Sequence, residues 1–497
     1  MNLKSLHIEN FRAFRDQTIQ FDDYTCFVGP NGAGKSTVFN ALNVFFRQSP
    51  EPSVDLTTLA EEDFHKKDTS KPIKITLTFS DLSTDEQMEF KHYYRQDQLV
   101  VMAKATWDAA SNRALVIQYG SRNVMADFAP YFKASDAKKK AGELRSIFAK
   151  IREKYTDLEN ATTMDGMESA LRSYEEAHPE FCELRDSADE LYGVSRGSNL
   201  QKFIKWVYIP PVKLASDEET EAKKTAIGQL LDIVVRKKVS FQQEIEALRE
   251  RALEEYHTLV NGKQDMLDEV SSNLCRRLQS WATPRAKINM QWVSDDKKVS
   301  VSEPIARVLA GDEGFLGSLT RLGHGLQRAY LIALLEEVAT LSTEGEGEPK
   351  LLLACEEPEL HQHPPQQKHL MNVFEQLAEK NQVMVTTHSP YFVSGRAFEH
   401  VRMVRNMVAT NEATLTNTTF DDVSEELARV REETKPATPE LQQVRLQQAL
   451  QPALNEMFFS PVVVFVEGLE DVAYLTSCLI LMNKWEEFRR MGCHFVP

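Results

Sequence analysis

Residues Phe27–Leu42 read FVGPNGAGKSTVFNAL. Within this stretch, Gly29 to Ser36 match G-x-x-x-x-G-K-[ST], a glycine-rich loop that follows a strand and opens a helix. The glycines let successive backbone N–H groups turn inward on phosphate oxygens, and the positive end of the following helix adds to that attraction. Lys35 is placed to reach the β- and γ-phosphates, and Ser36 to bind Mg²⁺. A strand before the loop and a helix from about Lys35 to Phe46 supply the expected context. The stretch predicts a nucleotide site in an α/β fold.

Such a site needs a second half, a buried strand that ends in carboxylates. Leu351 to Pro358, LLLACEEP, supplies one. Its apolar run delivers Glu356 toward the water shell of the metal ion, and leaves Glu357 to orient or deprotonate the attacking water. Adjacent carboxylates at the end of a buried strand are costly unless they are used. Further on, Val383-Met384-Val385 leads into Thr386-Thr387-His388-Ser389-Pro390. His388 is thereby expected at a strand end, facing the γ-phosphate.

The bulk properties narrow the class. A chain of 497 residues predicts two to four domains. Hydrophobic residues at 42% and charged residues at 27% are ordinary for a soluble protein. No run of about 18 apolar residues occurs, so no membrane span and no membrane partner are expected. The N-terminal MNLKSLHIENFRAF alternates rather than pairing a basic segment with an apolar one, so no signal peptide is expected. Six scattered cysteines without a CxxC pair fit a reducing, cytoplasmic setting and argue against zinc. The net charge of −16 counts against tight, non-specific binding of nucleic acid, which draws on Lys and Arg to neutralise phosphates.

Along the chain, residues 1–132 read as a β-rich lobe. In SKPIKITLTFS, Ile73, Ile75, Leu77 and Phe79 recur at every second position, as in a half-buried strand. Leu99–Thr106 and Arg113–Gln118 read as a hairpin about the turn Ala109–Asn112. Residues 133–280 read as a charged helical insertion interrupted by the strand KFIKWVYIPPV, with a long helix from about Glu218 to Val260 stopped at Asn261-Gly262. Residues 281–410 return to a loop-then-helix pattern followed by parallel-type strands. Residues 411–454, polar and carrying Pro436, read as a linker, and a last unit opens at about Asn455.

The phosphate loop, EEPELHQHP and THSP, in that order, resemble the split ABC-type ATPase heads of the SMC, RecF and OLD (overcoming lysogenization defect) families. The resemblance implies ATP as ligand with Mg²⁺ or Mn²⁺, and contacts from Gly29, Asn31, Gly32, Gly34, Lys35, Ser36 and Thr37. It implies Ser36 and Glu356 as metal ligands, with Glu357 and His388 catalytic. It also implies a head-to-tail homodimer or higher homo-oligomer, in which a signature loop of one subunit completes the other's site. The corresponding stretch is Ser318–Arg328, with Gly323, Gly325 and Gln327 as nucleotide contacts and either Arg321 or Arg328 supplying charge. It departs from Leu-Ser-Gly-Gly-Gln, and Glu356 stands where most such heads have Asp.

A second stretch, Pro461–Leu475, reads as a strand, a sharp turn at Gly468 and a helix, with Glu467 and Asp471 on one side. This E-G-x-x-D pattern resembles the opening of a Toprim domain, whose acids hold a metal ion at the scissile phosphate. The expected fold is therefore a split ABC-type head with a helical insertion, followed by the start of a Toprim α/β domain over residues 455–497. A whole domain needs roughly a hundred residues, so the remaining metal ligands are expected beyond Pro497. The combination resembles an OLD-family protein: an ATPase head regulating a Toprim endonuclease that acts on DNA, in prokaryotic anti-phage defence. The alternatives are a RecF- or SMC-like repair ATPase without nuclease activity, and an ATP-gated scaffold holding a protein or RNA–DNA partner in a defence complex.

Overall fold

The computed structural model describes residues 1–48, 55–90, 93–136, 139, 141–186, 200–211, 226–239, 241–281, 285, 287–292, 300–302, 304–306, 308–312, 314–341, 349–407, 412–432 and 435–497. Two sheets enclose the helix that follows the phosphate loop. The first is antiparallel and runs in the order Phe14–Gln20, Asn2–Phe11, Ile73–Ser80, Gln98–Asp108, Arg113–Val124 and Thr58–Leu59. Alternation sets its inner face: Ile73, Ile75, Leu77 and Phe79 are all buried, as a period of two places them on one side. The second sheet runs Ile204–Ile209, Lys350–Glu356, Gln382–Thr386, Tyr24–Val28, Val401–Met407 and Glu412–Thr416. Its first five strands are parallel and the last is antiparallel.

Helix Lys35–Phe46 lies between the sheets. Phe39, Leu42 and Phe45 share one core with Leu6, Ile8 and Leu77, and with Leu352 and Met384 of the parallel sheet. Phe46 stacks on Trp206 at 5.4 Å between ring centroids, while the Trp206 indole N–H donates to Asn43 Oδ1 at 3.0 Å. On its other face the parallel sheet carries helices Ala226–Lys238, His324–Leu341 and Pro364–Ala378, joined in a second core. A third, smaller core gathers Phe128, Tyr131, Phe148 and Leu171 from the region after the antiparallel sheet. Among the described residues no helix is long and apolar enough to cross a membrane.

Three expectations need correction. The stretch 411–454 is no linker over its described residues: Glu412–Thr416 is the edge strand of the parallel sheet, and helices Phe420–Arg431, Pro439–Ala449 and Pro452–Asn455 follow. Thr419 and Thr438 cap two of those helices, accepting from the backbone N–H groups of Asp422 and Leu441. The helical region 133–280 is not one body, because strand Ile204–Ile209 returns to the parallel sheet beside Lys350–Glu356. The long helix is two helices, Ala226–Lys238 and Gln242–Asn261, while residues 218–225 lie outside the described ones. The first of them buries Ile227, Leu230 and Leu231 in the core of the parallel sheet, so it packs as part of that layer. The second ends where it was expected to, with Gly262 as its C-cap.

The phosphate loop is anchored backbone to backbone. Gly29 has φ 147°, and a Cβ there would meet the carbonyl oxygen of Val404 at 2.1 Å. Gly29→Ala is therefore expected to destabilise the fold by about 2–4 kcal/mol, measured as a lower urea midpoint. An unchanged midpoint would show that the loop shifts freely away from the strand.

Candidate functional site

The site forms at the carboxyl ends of the parallel strands, where the phosphate-loop strand Tyr24–Val28 lies beside Gln382–Thr386, and the latter beside Lys350–Glu356. Gly29, Gly32 and Gly34 all have positive φ, which turns the loop back on itself. Gly34 caps helix Lys35–Phe46 without a side-chain hydrogen bond. Thr37 N–H donates to the Gly34 carbonyl at 3.0 Å, and the cap offers no side chain to the Lys35 and Ser36 amides, as at anion-binding helix termini. Ala13 packs within 3.0 Å of where a Cβ on Gly34 would stand, which fixes the loop from the antiparallel side.

Lys35 is 7% exposed, and its amine donates to the carbonyls of Gly29 at 2.9 Å and Pro30 at 3.1 Å. Burial lowers its pKa, opposed by the charges of Glu357, Glu356 and Glu359. Glu356 ends its strand and is 5% exposed. Burial pushes its carboxyl up, while hydrogen bonds from the Ser36 and Tyr208 hydroxyls pull it down. Its Oε1 is buried without a hydrogen-bond partner. A buried carboxylate oxygen left open beside a serine hydroxyl fits a hard divalent cation, which takes oxygen ligands. When bound, Mg²⁺ would neutralise charge on the phosphate oxygens.

Past Glu356 the backbone turns at Glu357, with φ 44°, a region few non-glycine residues adopt. The Glu357 N–H donates to the Thr386 carbonyl at 2.8 Å, so the two strand ends stay in register. His388 lies two residues beyond its strand, with Nε2 3.8 Å from Glu357 Oε1. That Nε2 is buried without a hydrogen-bond partner, and burial together with the Lys35 charge lowers the imidazole pKa. Glu359 was not picked out from the sequence. Its Oε1 accepts the backbone N–H of His388 at 2.6 Å, and its Oε2 is buried with no partner. The available signal was the third carboxylate in EEPE, close to an apolar strand.

The signature stretch behaves differently. The Arg328 guanidinium donates to the carbonyls of Pro210, at 3.3 Å, and Pro211, and is engaged within its own chain, while Arg321 is exposed. Gln327 donates to the Leu322 carbonyl at 2.8 Å. Gly323 and Gly325 flank the start of helix His324–Leu341, where His324 stacks on His361 at 5.4 Å. None of these signature contacts reaches the phosphate loop.

Glu467 and Asp471 share one turn: Asp471 Oδ2 accepts the Glu467 N–H at 3.1 Å. Strand Val462–Phe465 stops two residues before Glu467 and pairs in parallel with Cys493–Val496. Among the described residues, no three or more His, Cys, Asp or Glu side chains gather where a metal ion would sit. The segment leading to this unit is tied to the site. Asn455, 1% exposed, donates from Nδ2 to the carbonyls of Pro390, at 3.0 Å, and Val393, just past His388. Phe459 lies 6.1 Å from the His388 ring.

Residues 1–393 match a protein family described as AAA ATPase domain. An OLD nuclease of Thermus scotoductus is 23% identical over 501 residues, spanning 97% of this chain and 74% of that protein. The Old nuclease of Escherichia phage P2 is 23% identical over 231 residues, 44% of this chain and 38% of the phage protein. Among solved structures, an Smc head domain with an extended coiled coil from Pyrococcus furiosus superposes with a TM-score of 0.41. It is 11% identical, over 86% of this chain and 99% of that one.

Proposed function

The chain belongs to the AAA ATPase domain family, and on that premise we propose that its head hydrolyses ATP with Mg²⁺ to regulate a metal-dependent DNA endonuclease in anti-phage defence. The observation that carries the ATPase part is the convergence of Lys35, Ser36, Glu356, Glu357 and His388 at the carboxyl ends of the parallel strands, with unpartnered buried atoms on Glu356 and His388. In this reading the loop amides and Lys35 hold the phosphates, and Ser36 and Glu356 hold Mg²⁺. Glu357 takes a proton from the attacking water, and His388 faces the γ-phosphate. Gly323, Gly325 and Gln327 act across a head-to-tail homodimer. The exposed apolar side chains Met266, Val270, Leu274 and Leu278 on helix Gln264–Trp281 support association through the helical region.

The nuclease part rests on similarity to two OLD nucleases and on the strand–turn–helix that presents Glu467 and Asp471. These two acids are proposed as part of a Toprim metal site. With the full-length gene product, Mg²⁺ or Mn²⁺ and plasmid DNA, Glu467→Ala is expected to reduce cleavage by about 100-fold or more, with ATP turnover within twofold of wild type. Wild-type cutting by that variant would sink the nuclease assignment. A second reading is an ATPase switch without nuclease activity. DNA-stimulated ATP turnover with no cleavage under either metal would establish it.

A further inference from the structure

The strand that precedes His388 ends at Thr386. The next three backbone amides find their acceptors in three different ways. Thr387 N–H donates to the Phe27 carbonyl of the phosphate-loop strand at 3.1 Å. Ser389 N–H donates to Thr387 Oγ1 at 2.9 Å, within its own loop. The amide between them, that of His388, donates to Glu359 Oε1 at 2.6 Å. Of the three bonds, this one alone comes from a side chain of the turn that carries Glu357.

The turn itself delivers Glu359 there. Glu357 takes φ 44°, Leu360 N–H closes on the Glu357 carbonyl at 3.1 Å, and Gln362 N–H on the Glu359 carbonyl at 3.0 Å. The reversal carries Glu359 back across the strand ends, while His361 and His363 stay exposed. A carboxylate with one oxygen buried and unpartnered is an expensive acceptor for a backbone amide. Charge-assisted acceptors hold a donor more tightly than neutral ones, and a tightly held amide fixes where the next side chain starts.

We propose that Glu359 is the positioning residue of His388, clamping its backbone so that the imidazole keeps its place beside Glu357 and the γ-phosphate. The proposal rests on the reading of His388 as facing that phosphate. Glu359 touches neither nucleotide nor water in this scheme. It acts through His388, and the 3.8 Å separation between His388 Nε2 and Glu357 Oε1 is maintained across its bond.

The test uses the full chain, with steady-state ATP turnover and the affinity for a non-hydrolysable ATP analogue measured for each variant. Misplacing a group near the reacting atoms costs on the order of 10–100-fold in rate. Glu359→Ala is expected to lower kcat by about that factor while analogue affinity stays within about threefold. Glu359→Gln keeps an oxygen able to accept the His388 N–H and is expected to return kcat to within about fivefold of wild type. Glu359→Asp keeps the charge but shortens the reach, so it should slow turnover as alanine does; it decides the matter alone if the alanine variant does not fold. Glu359→Ala combined with His388→Ala should be no slower than His388→Ala alone, since the two act as one unit. Multiplying losses in the double variant would overturn the proposal, as would a slow Gln variant or normal turnover by both Ala and Asp. If His388→Ala itself turns over ATP normally, the reading of His388 has failed, and the proposal with it. A slow His388→Ala beside a normal Glu359→Asp overturns the proposal only.

Discussion

Replacing Lys35 with alanine is expected to weaken ATP binding by about 100-fold or more, the largest effect on affinity of any single change in the head. The amine sits in the phosphate loop on the Gly29 and Pro30 carbonyls, with three carboxylates near enough to act on its charge. Arriving phosphates therefore find a cation already desolvated, and its removal leaves the loop amides and the metal ion to hold them. The same change leaves Glu356, Glu357 and Glu359 without their shared cation, so the ligand-free protein should also lose stability. Titration with a fluorescent ATP analogue and thermal unfolding measure the two effects separately. Near-wild-type affinity would remove Lys35 from the nucleotide site.

Glu357→Gln is expected to bind ATP within about threefold of wild type and to hydrolyse it on the order of 100–1,000-fold more slowly. The side-chain amide is nearly isosteric with the carboxylate, and the backbone N–H of residue 357 still donates to the Thr386 carbonyl, so the turn at φ 44° should persist. What it lacks is a base. A proton on the attacking water then has no acceptor at this position, and the loss falls on kcat, not on binding. Single-turnover hydrolysis with the enzyme in excess gives the rate directly. Normal turnover would pass the role of base to another group and leave Glu357 as a member of the charge cluster around Lys35.

How much of this was legible depended on whether a residue acts through its neighbours in sequence or in space. The helix Lys35–Phe46 and the strand ending at Glu356 were readable because a glycine-rich loop and an apolar run announce themselves locally. The strand Ile204–Ile209 was equally readable as a strand, but its partner, Lys350–Glu356, lies far along the chain, and no local pattern names it. Residues 411–454 were misjudged because polar composition outweighed their capping threonines, Thr419 and Thr438. Composition describes the solvent face, whereas a cap describes the backbone, and the cap was the better guide. Glu359 was silent for a different reason. Its bond to His388 exists only because Glu357 takes a left-handed conformation, which no spacing rule anticipates.

The two bonds from Asn455 carry a mechanical meaning. Its amide is buried and grips two carbonyls of the loop behind His388. Breaking a buried bond of this kind costs about 1–3 kcal/mol, so displacements smaller than that cost carry the segment along with the loop. The approach to the C-terminal strand–turn–helix is thereby fastened to the loop behind His388 by a polar clasp at Asn455 and, four residues on, by Phe459 against the imidazole.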